Sequence, residues 1–325
     1  MYKYIISVIL IIIVITGLYV KSNLQAPENF ISEKTVYITP GANTDQIAKY
    51  LKMENIIKNR FIFKMIVKYK GYEKRLKAGY YLIQKKSDVF RVVDILVEGK
   101  ELAKKITIRE GLTVKEVVED LVDNGFGSEE EYNKILKDER LLKELIHFAK
   151  SYEGFLFPQT YYFRINEIPE NIIKRLLEEF RKSFQPEFEQ RASSIGLSCY
   201  EAIILASIVE KEANKEEERP VIAGIFLKRL RSGRKLEACP TIRYILNPKR
   251  PNLLYEDLEI DSPYNTYLYP GLPPTPICNP SISSIKAVLY YEETPYLYFV
   301  SDNKGGHYFS STLSEHNRYK VLVSK

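Results

Sequence analysis

A chain of 325 residues with 48 Lys and Arg against 42 Asp and Glu, net +6, is long enough for two or three domains that each bury a core. The positive excess is scattered rather than blocked, which leaves nucleic-acid binding without support and is compatible with an anionic polymer, a membrane surface or simple solubility. Three cysteines, Cys199, Cys239 and Cys278, have neither metal-like spacing nor the pattern of a disulfide framework; free thiols are expected, with Cys239 and Cys278 the pair to test in an oxidising compartment.

Residues Tyr4 to Val20 carry no charge and lie between Lys3 and Lys21, with tyrosines near both ends. This is about the shortest run that spans a bilayer, and it is longer than a usual signal-peptide core, with no small-x-small cleavage site before Lys21. The expectation is an uncleaved, single-pass anchor over 1–22. The flanking charges encode orientation weakly, and a short head with a large tail places the bulk outside the cytoplasm. A polar tether over 23–34 follows.

Order is expected from Thr35. Val36-Tyr-Ile alternates as a strand, Pro40-Gly41 turns the chain, and Thr44 is the expected cap of a helix carrying Ile47, Ala48 and Leu51. A helix over Arg60 to Tyr69, a strand at Gly79-Tyr-Tyr-Leu-Ile and a helix over Val89 to Val97 complete a small α/β module over 35–104. Ile38-Thr-Pro-Gly and Ile108-Arg-Glu-Gly open similar strand-turn-helix units, so a second small α/β segment with a helical connector is expected over 105–150. Nothing in either copy looks catalytic. Beyond Tyr152 the composition turns aromatic and Pro-rich, which marks a further domain over 151–325. The fold class expected is α+β: a transmembrane helix, small α/β modules, then a mixed α/β domain bearing the chemistry.

The chemistry centres on Glu201-Ala-Ile-Ile-Leu-Ala-Ser-Ile-Val-Glu-Lys-Glu-Ala213, an apolar run that ends in carboxylates. Burial disfavours a charged carboxyl, so a Glu here can hold a proton near neutral pH and donate it to a leaving oxygen; a Glu at the water boundary is the plainer alternative. On a helix over Tyr200 to Glu218, Glu210 shares a face with Ile203, Ala206, Ser207, Ala213 and Asn214, whose small members admit a ligand. Glu212 shares another face with Leu205, Ile208 and Val209, and the pattern alone leaves it open as the functional carboxyl. Glu216 to Glu218 read as a solvated helix end.

Three stiff loops follow, Cys239-Pro-Thr-Ile-Arg-Tyr244, Ser262-Pro-Tyr-Asn-Thr-Tyr267 and Gly271-Leu-Pro-Pro-Thr-Pro-Ile277. A wall displaying Tyr264, Asn265 and Tyr267 suits sugar, since aromatic faces cover pyranose C–H groups and amides bond hydroxyl or acetamido groups. Inward packing of the same tyrosines is the structural alternative. Tyr296-Leu-Tyr-Phe-Val300 reads as a buried strand before the Lys304-Gly-Gly-His307 turn. No His pair of metal-binding spacing, Gly-x-Ser-x-Gly elbow or phosphate loop is present, so no metal and no cofactor is expected, and Ser207 lacks an evident base.

Ala206-Ser-Ile-Val-Glu-Lys-Glu212, Ser262-Pro-Tyr-Asn-Thr-Tyr267, Gly271-Leu-Pro-Pro, Tyr296-Leu-Tyr-Phe-Val300, Gly305-Gly-His307 and Glu153-Gly-Phe-Leu-Phe-Pro158 together resemble the endolytic murein transglycosylase, or YceG-like, family. The resemblance covers nearly the whole chain and implies a LysM-like module in the N-terminal part. It also implies a membrane-anchored enzyme on the wall side of the cytoplasmic membrane, acting on peptidoglycan strands beside peptidoglycan synthases. The implied reaction breaks the β-1,4 bond between N-acetylmuramic acid and N-acetylglucosamine without water, leaving a 1,6-anhydro end, and so ends or trims nascent strands. The resemblance gives the acid's role to the first Glu of Glu-Lys-Glu, Glu210, and implies substrate contacts for Ser207, Glu237, Thr241, Tyr264, Asn265, Tyr267 and His307. The chain departs from the family pattern at Cys239, where an Asp is usual, at Glu237 for Gln, at Gln159 for Asp and at Thr275 for Gly; Glu237 is a candidate to replace the missing charge. A lysozyme-like hydrolase would need a second carboxylate, for which Glu153 and Glu237 are candidates. A noncatalytic wall-binding scaffold is the reading from another class.

Overall fold

A computed structural model describes residues 2–100, 102–246 and 253–324. The chain divides into two compact units, Met1–Lys104 with Tyr162–Ile165, and Lys105–Tyr161 with Asn166–Lys325.

The first unit opens with α1 (Tyr2–Leu24), whose stretch Tyr4–Leu24 is long and apolar enough to cross a membrane. Then come β1 (Lys34–Ile38), α2 (Thr44–Met53), α3 (Arg60–Tyr69), β2 (Gly79–Ile83) and α4 (Val89–Glu98). β1 and β2 pair antiparallel, with Val36 opposite Tyr81 and Tyr37 opposite Tyr80. The period of two sends Val36, Ile38, Tyr81 and Ile83 into the core, while Tyr37 and Tyr80 stack on the other face with centroids 4.4 Å apart. The inward face buries Ile47, Ala48 and Leu51 of α2, Phe63 and Val67 of α3, and Val92, Val93 and Leu96 of α4. The cap of α2 is Asn43, one residue before the expected Thr44, because its side chain accepts from the Gln46 N–H while the Gln46 side chain accepts from the Asn43 N–H.

β3 (Ala103–Thr107) and β4 (Thr160–Arg164) form a second two-stranded sheet. The second unit then carries α5 (Val114–Asp123), α6 (Glu129–Leu136), α7 (Arg140–Leu145), α8 (Pro169–Ser183), α9 (Pro186–Ser194), α10 (Cys199–Glu212), α11 (Arg219–Arg231), α12 (Cys239–Ile245), α13 (Ile282–Leu289), the antiparallel pair β5 (Tyr298–Ser301) and β6 (His307–Ser310), and α14 (Leu313–Val323). Segment 105–150, expected as a part of its own, joins residues beyond 151 in one unit: α6 and α7 pack on α8, and Asn279 is bonded to Leu112 and Leu156.

Helix α10 is the axle of this unit. Ser198 and Glu201 close a capping box at its start, every residue from Ala202 to Val209 is buried, and α9, α11, α12 and α13 pack around it. It stops at Glu212, where Ala213 turns extended, six residues short of the expected end. Two expected elements also change. Cys239 to Tyr244 lies in helix α12 rather than a loop, with Pro240 at its start where no N–H is missed. The expected buried strand is β5, which begins at Tyr298 and is only half-buried because one side borders a cavity.

Candidate active site

The end of α10 sends its two carboxylates into different surroundings. Glu210 is enclosed by polar groups: its Oε2 accepts from the Ser281 backbone N–H at 2.9 Å and from the Ser281 hydroxyl, and its Oε1 accepts from Arg219 Nη2 at 3.2 Å. The ion pair is buried, with the two side chains 6% and 11% exposed. Arg219 also donates to Ser281 Oγ at 3.0 Å and to Ser283 Oγ, so the end of α10, the start of α11 and the capped start of α13 are joined through one carboxylate. The turn at Glu110-Gly111 lies against the same place. Gly111, at φ +74°, accepts from Lys211 Nζ at 3.2 Å, and Glu110 has its pKa raised, first by burial and then by the Glu210 charge. No sequence signal marked Glu110, since its strand-turn-helix unit is a common scaffold.

Breaking a buried ion pair from one side leaves a charge unmatched, at a cost of about 3–5 kcal/mol. Arg219→Ala is accordingly expected to lower the urea midpoint of the detergent-solubilised chain, and Glu210→Gln added to it should recover part of the loss. A midpoint unchanged in Arg219→Ala would show that the pair contributes nothing to stability.

Glu212 faces a cavity of about 380 Å³ shared with Glu237, Cys239, Tyr267, Tyr298 and His307. Burial raises its pKa to about 7, against the opposing pull of the Arg243 charge and the Cys239 N–H. Histidine and acid are fixed by separate devices. His307 Nδ1 lies 2.6 Å from Glu218 Oε2, and its backbone N–H reaches Glu218 Oε1 at 3.1 Å, so Glu218 sets the ring and leaves Nε2 for a ligand. Glu218, read from sequence as a solvated helix end, is thus an orienting partner, 14% exposed, in the short 3-10 turn Glu216–Glu218. Glu237 holds a left-handed backbone, φ +53°, and its carboxylate pairs with Arg229, which is itself buried and bonded to the Lys235 and Leu297 carbonyls. Its charge is committed to Arg229. Cys239, at the position where an Asp was expected, sets its Sγ 3.0 Å from the Tyr267 hydroxyl. All three cysteines are free.

Of the residues expected to meet substrate, Glu237, Tyr267 and His307 line the cavity. Ser207, Thr241 and Asn265 do not: each is fully buried. Ser207 donates to Ile204 O and accepts from Ile277 N–H, Thr241 bonds Ala238 O and Thr266 Oγ1, and Asn265 ties Leu258 O, Ile260 O and the Tyr267 N–H. In this structure these small polar residues between apolar ones close loops from within. Tyr264 packs on Tyr244 at 5.1 Å between centroids and hydrogen-bonds Thr275. Glu153, the other expected carboxylate, is buried elsewhere: it accepts from the Val114 N–H at 3.0 Å, where α5 begins, and from the Tyr244 hydroxyl at 3.3 Å. Its pKa is pushed to about 8 by burial.

The Gly271-Leu-Pro-Pro loop borders a larger cavity, about 570 Å³, with Tyr200, Leu230 and Arg231. Among the described residues its only carboxylate is Glu201, which is engaged by Ser198 at the helix cap. Among the described residues no cluster of His, Cys, Asp and Glu could hold a metal.

The model of the YceG-like family matches residues 36–321. The endolytic murein transglycosylase of Bacillus subtilis strain 168 is 34% identical over 321 residues, spanning 93% of this chain and 88% of the relative. The protein of the same name from Streptococcus pneumoniae serotype 2 is 29% identical over 316 residues, 87% of this chain and 57% of its own length. A crystal structure of a YceG-like protein from Listeria monocytogenes superposes with a TM-score of 0.61 at 31% identity, over 88% of this chain and 98% of that one.

Proposed function

The chain belongs to the YceG-like family, and on that footing we propose that it is a lytic transglycosylase of peptidoglycan whose acid is Glu212. The observation that carries the assignment within the site is the Glu212 cavity: a carboxyl with its pKa near 7 opens onto a space bordered by Tyr267, Tyr298 and His307. Relatives named endolytic murein transglycosylase support the substrate class. Glu210, to which the family resemblance pointed, has both oxygens occupied by Arg219 and Ser281 and serves in this reading to hold the end of α10.

The reaction is an intramolecular displacement. Glu212 gives its proton to the oxygen linking N-acetylmuramic acid to N-acetylglucosamine, and that C1–O bond breaks. The muramic C6 oxygen then bonds to C1, and its proton passes to the Glu212 carboxylate, which restores the acid. The sugar supplies the nucleophile, so a single carboxyl suffices. In this reading His307, fixed through Glu218, and the Tyr267 hydroxyl hold the sugar's polar groups. Hydrolysis would need a second carboxylate to activate water, and Glu237, the other acid among the described residues of this cavity, is engaged with Arg229.

In this reading α1 is the membrane anchor, with the rest of the chain on the wall side, ending or trimming new strands alongside peptidoglycan synthases. The order β1, α2, α3, β2 with antiparallel pairing supports a LysM-like reading of that module. Incubation with purified peptidoglycan, followed by mass spectrometry of the new ends, tests the function. Anhydro ends are expected; reducing ends would mean hydrolysis, and no new ends would mean a binding scaffold.

A further inference from the structure

Helix α3 carries an apolar face that the protein leaves uncovered. Phe61 is 64%, Met65 52% and Tyr69 91% exposed, and their spacing of four puts them in one stripe along the helix. The opposite side, Ile62, Phe63, Ile66 and Val67, fills the core of the first unit, so α3 has apolar residues on two sides. From Lys58 to Lys70 the chain has five cations and no carboxylate. Carboxylates from other elements match two of them, Asp45 with Lys64 and Asp94 with Lys70.

The anchor helix is fastened to this element. Val20 and Leu24 of α1 pack against the core of the same unit, and Asn59, the residue that caps α3, donates to the Tyr19 hydroxyl at 3.2 Å. Tyr19 lies within the apolar stretch Tyr4–Leu24, near its end. The cap of α3 is therefore held beside the C-terminal end of the apolar stretch of α1, and Phe61 follows two residues later.

We propose that α3 is a second membrane contact: it lies on the bilayer surface, with Phe61, Met65 and Tyr69 in the headgroup boundary and Lys58, Arg60 and Lys68 against anionic lipid. A helix with an aromatic and apolar face flanked by Lys and Arg has the composition of an interfacial helix, and a polybasic segment next to a membrane span adds attraction to acidic headgroups. Continuity with the anchor and charge complementarity select lipid over a protein partner for this face. The proposal rests on the reading of α1 as a membrane span. It gives the N-terminal unit a fixed seat on the membrane rather than a free tether.

The chain contains no Trp, so each introduced Trp reports alone. Full-length Phe61→Trp, Met65→Trp, Tyr37→Trp and Leu10→Trp variants would be reconstituted in phosphatidylcholine–phosphatidylglycerol vesicles containing lipid brominated near the headgroup or deep in the acyl chain. Blue-shifted emission is expected at positions 61 and 65, quenched most by the shallow bromine. Position 37, on the outer face of the sheet, should emit as in water, and position 10 should be quenched by the deep bromine. Water-like, unquenched emission at 61 and 65 with quenching at 10 would overturn the surface contact alone. No quenching at 10 would overturn the span and the contact with it, and equal quenching at 37 and 61 would reduce the contact to unspecific adsorption and overturn it too.

Discussion

Substituting Glu212 by Gln is expected to lower the rate of anhydro-end formation by about 10²–10⁴-fold, the range a positioned acid contributes, while the fold is kept. Gln preserves the volume and the acceptor for the Cys239 N–H but cannot give up a proton. Glu210→Gln should act differently. It removes the charge that matches Arg219 and so weakens the fold, but it leaves the acid in the cavity, and the remaining rate should stay within about tenfold of the parent. Strand cleavage measured for both variants at equal folded concentration decides the matter. A dead Glu210→Gln beside an active Glu212→Gln would return the acid to Glu210. The parent's pH profile gives a second reading: Glu212 must hold its proton to act, and with a pKa raised to about 7 the rate should fall as pH rises through that value.

The second large effect is on stability. Glu153 sits in the interior with a pKa raised to about 8, burial being the main cause, against an ordinary value of 4.5. Below the ordinary value the carboxyl is protonated both folded and unfolded, and its contribution is fully present. Between about 4.5 and 8 the unfolded chain loses the proton and the folded chain keeps it, so stability declines as pH rises, and above that window the loss is complete. At about 1.4 kcal/mol per pH unit the change across the window is on the order of 3–5 kcal/mol. Glu153→Gln should remove most of that slope, so unfolding midpoints at pH 5 and pH 8.5 should lie closer together in the variant than in the parent. Equal slopes in the two proteins would sink the assignment.

The apolar run that forms α10, its capping box and the aromatic character of the loops were legible in the sequence because they are local. Which carboxylate meets the cavity was not. Helical periodicity tells faces apart only when one of them is wet, and from Ala202 to Val209 all of α10 is dry. The neighbours Ala206 and Ser207 therefore carried no information about ligand access, and Ser207 is occupied in fixing Ile277. Glu212 is distinguished by groups far along the chain, the Cys239 N–H, Arg243 and the β5–β6 pair. Glu218 was misread for a similar reason: three consecutive Glu suggest solvent, whereas His307, nearly ninety residues later, draws one of them inward. Asn265 and Thr241 show the reverse case, in which polar residues resembling ligand contacts satisfy backbone groups of the loops.

Helix α11 is tied to residues of this cavity at both ends, to His307 through Glu218 just before its first residue and to Glu237 through Arg229 near its last. It works as a ruler of set length. Each residue added or removed between those two points would shift the far end by about 1.5 Å and turn it by about 100°, which would carry Arg229 away from Glu237 or Glu218 away from His307. The number of residues in it is therefore fixed by its two ends. Insertions in this unit should therefore be tolerated in the loops and refused inside α11.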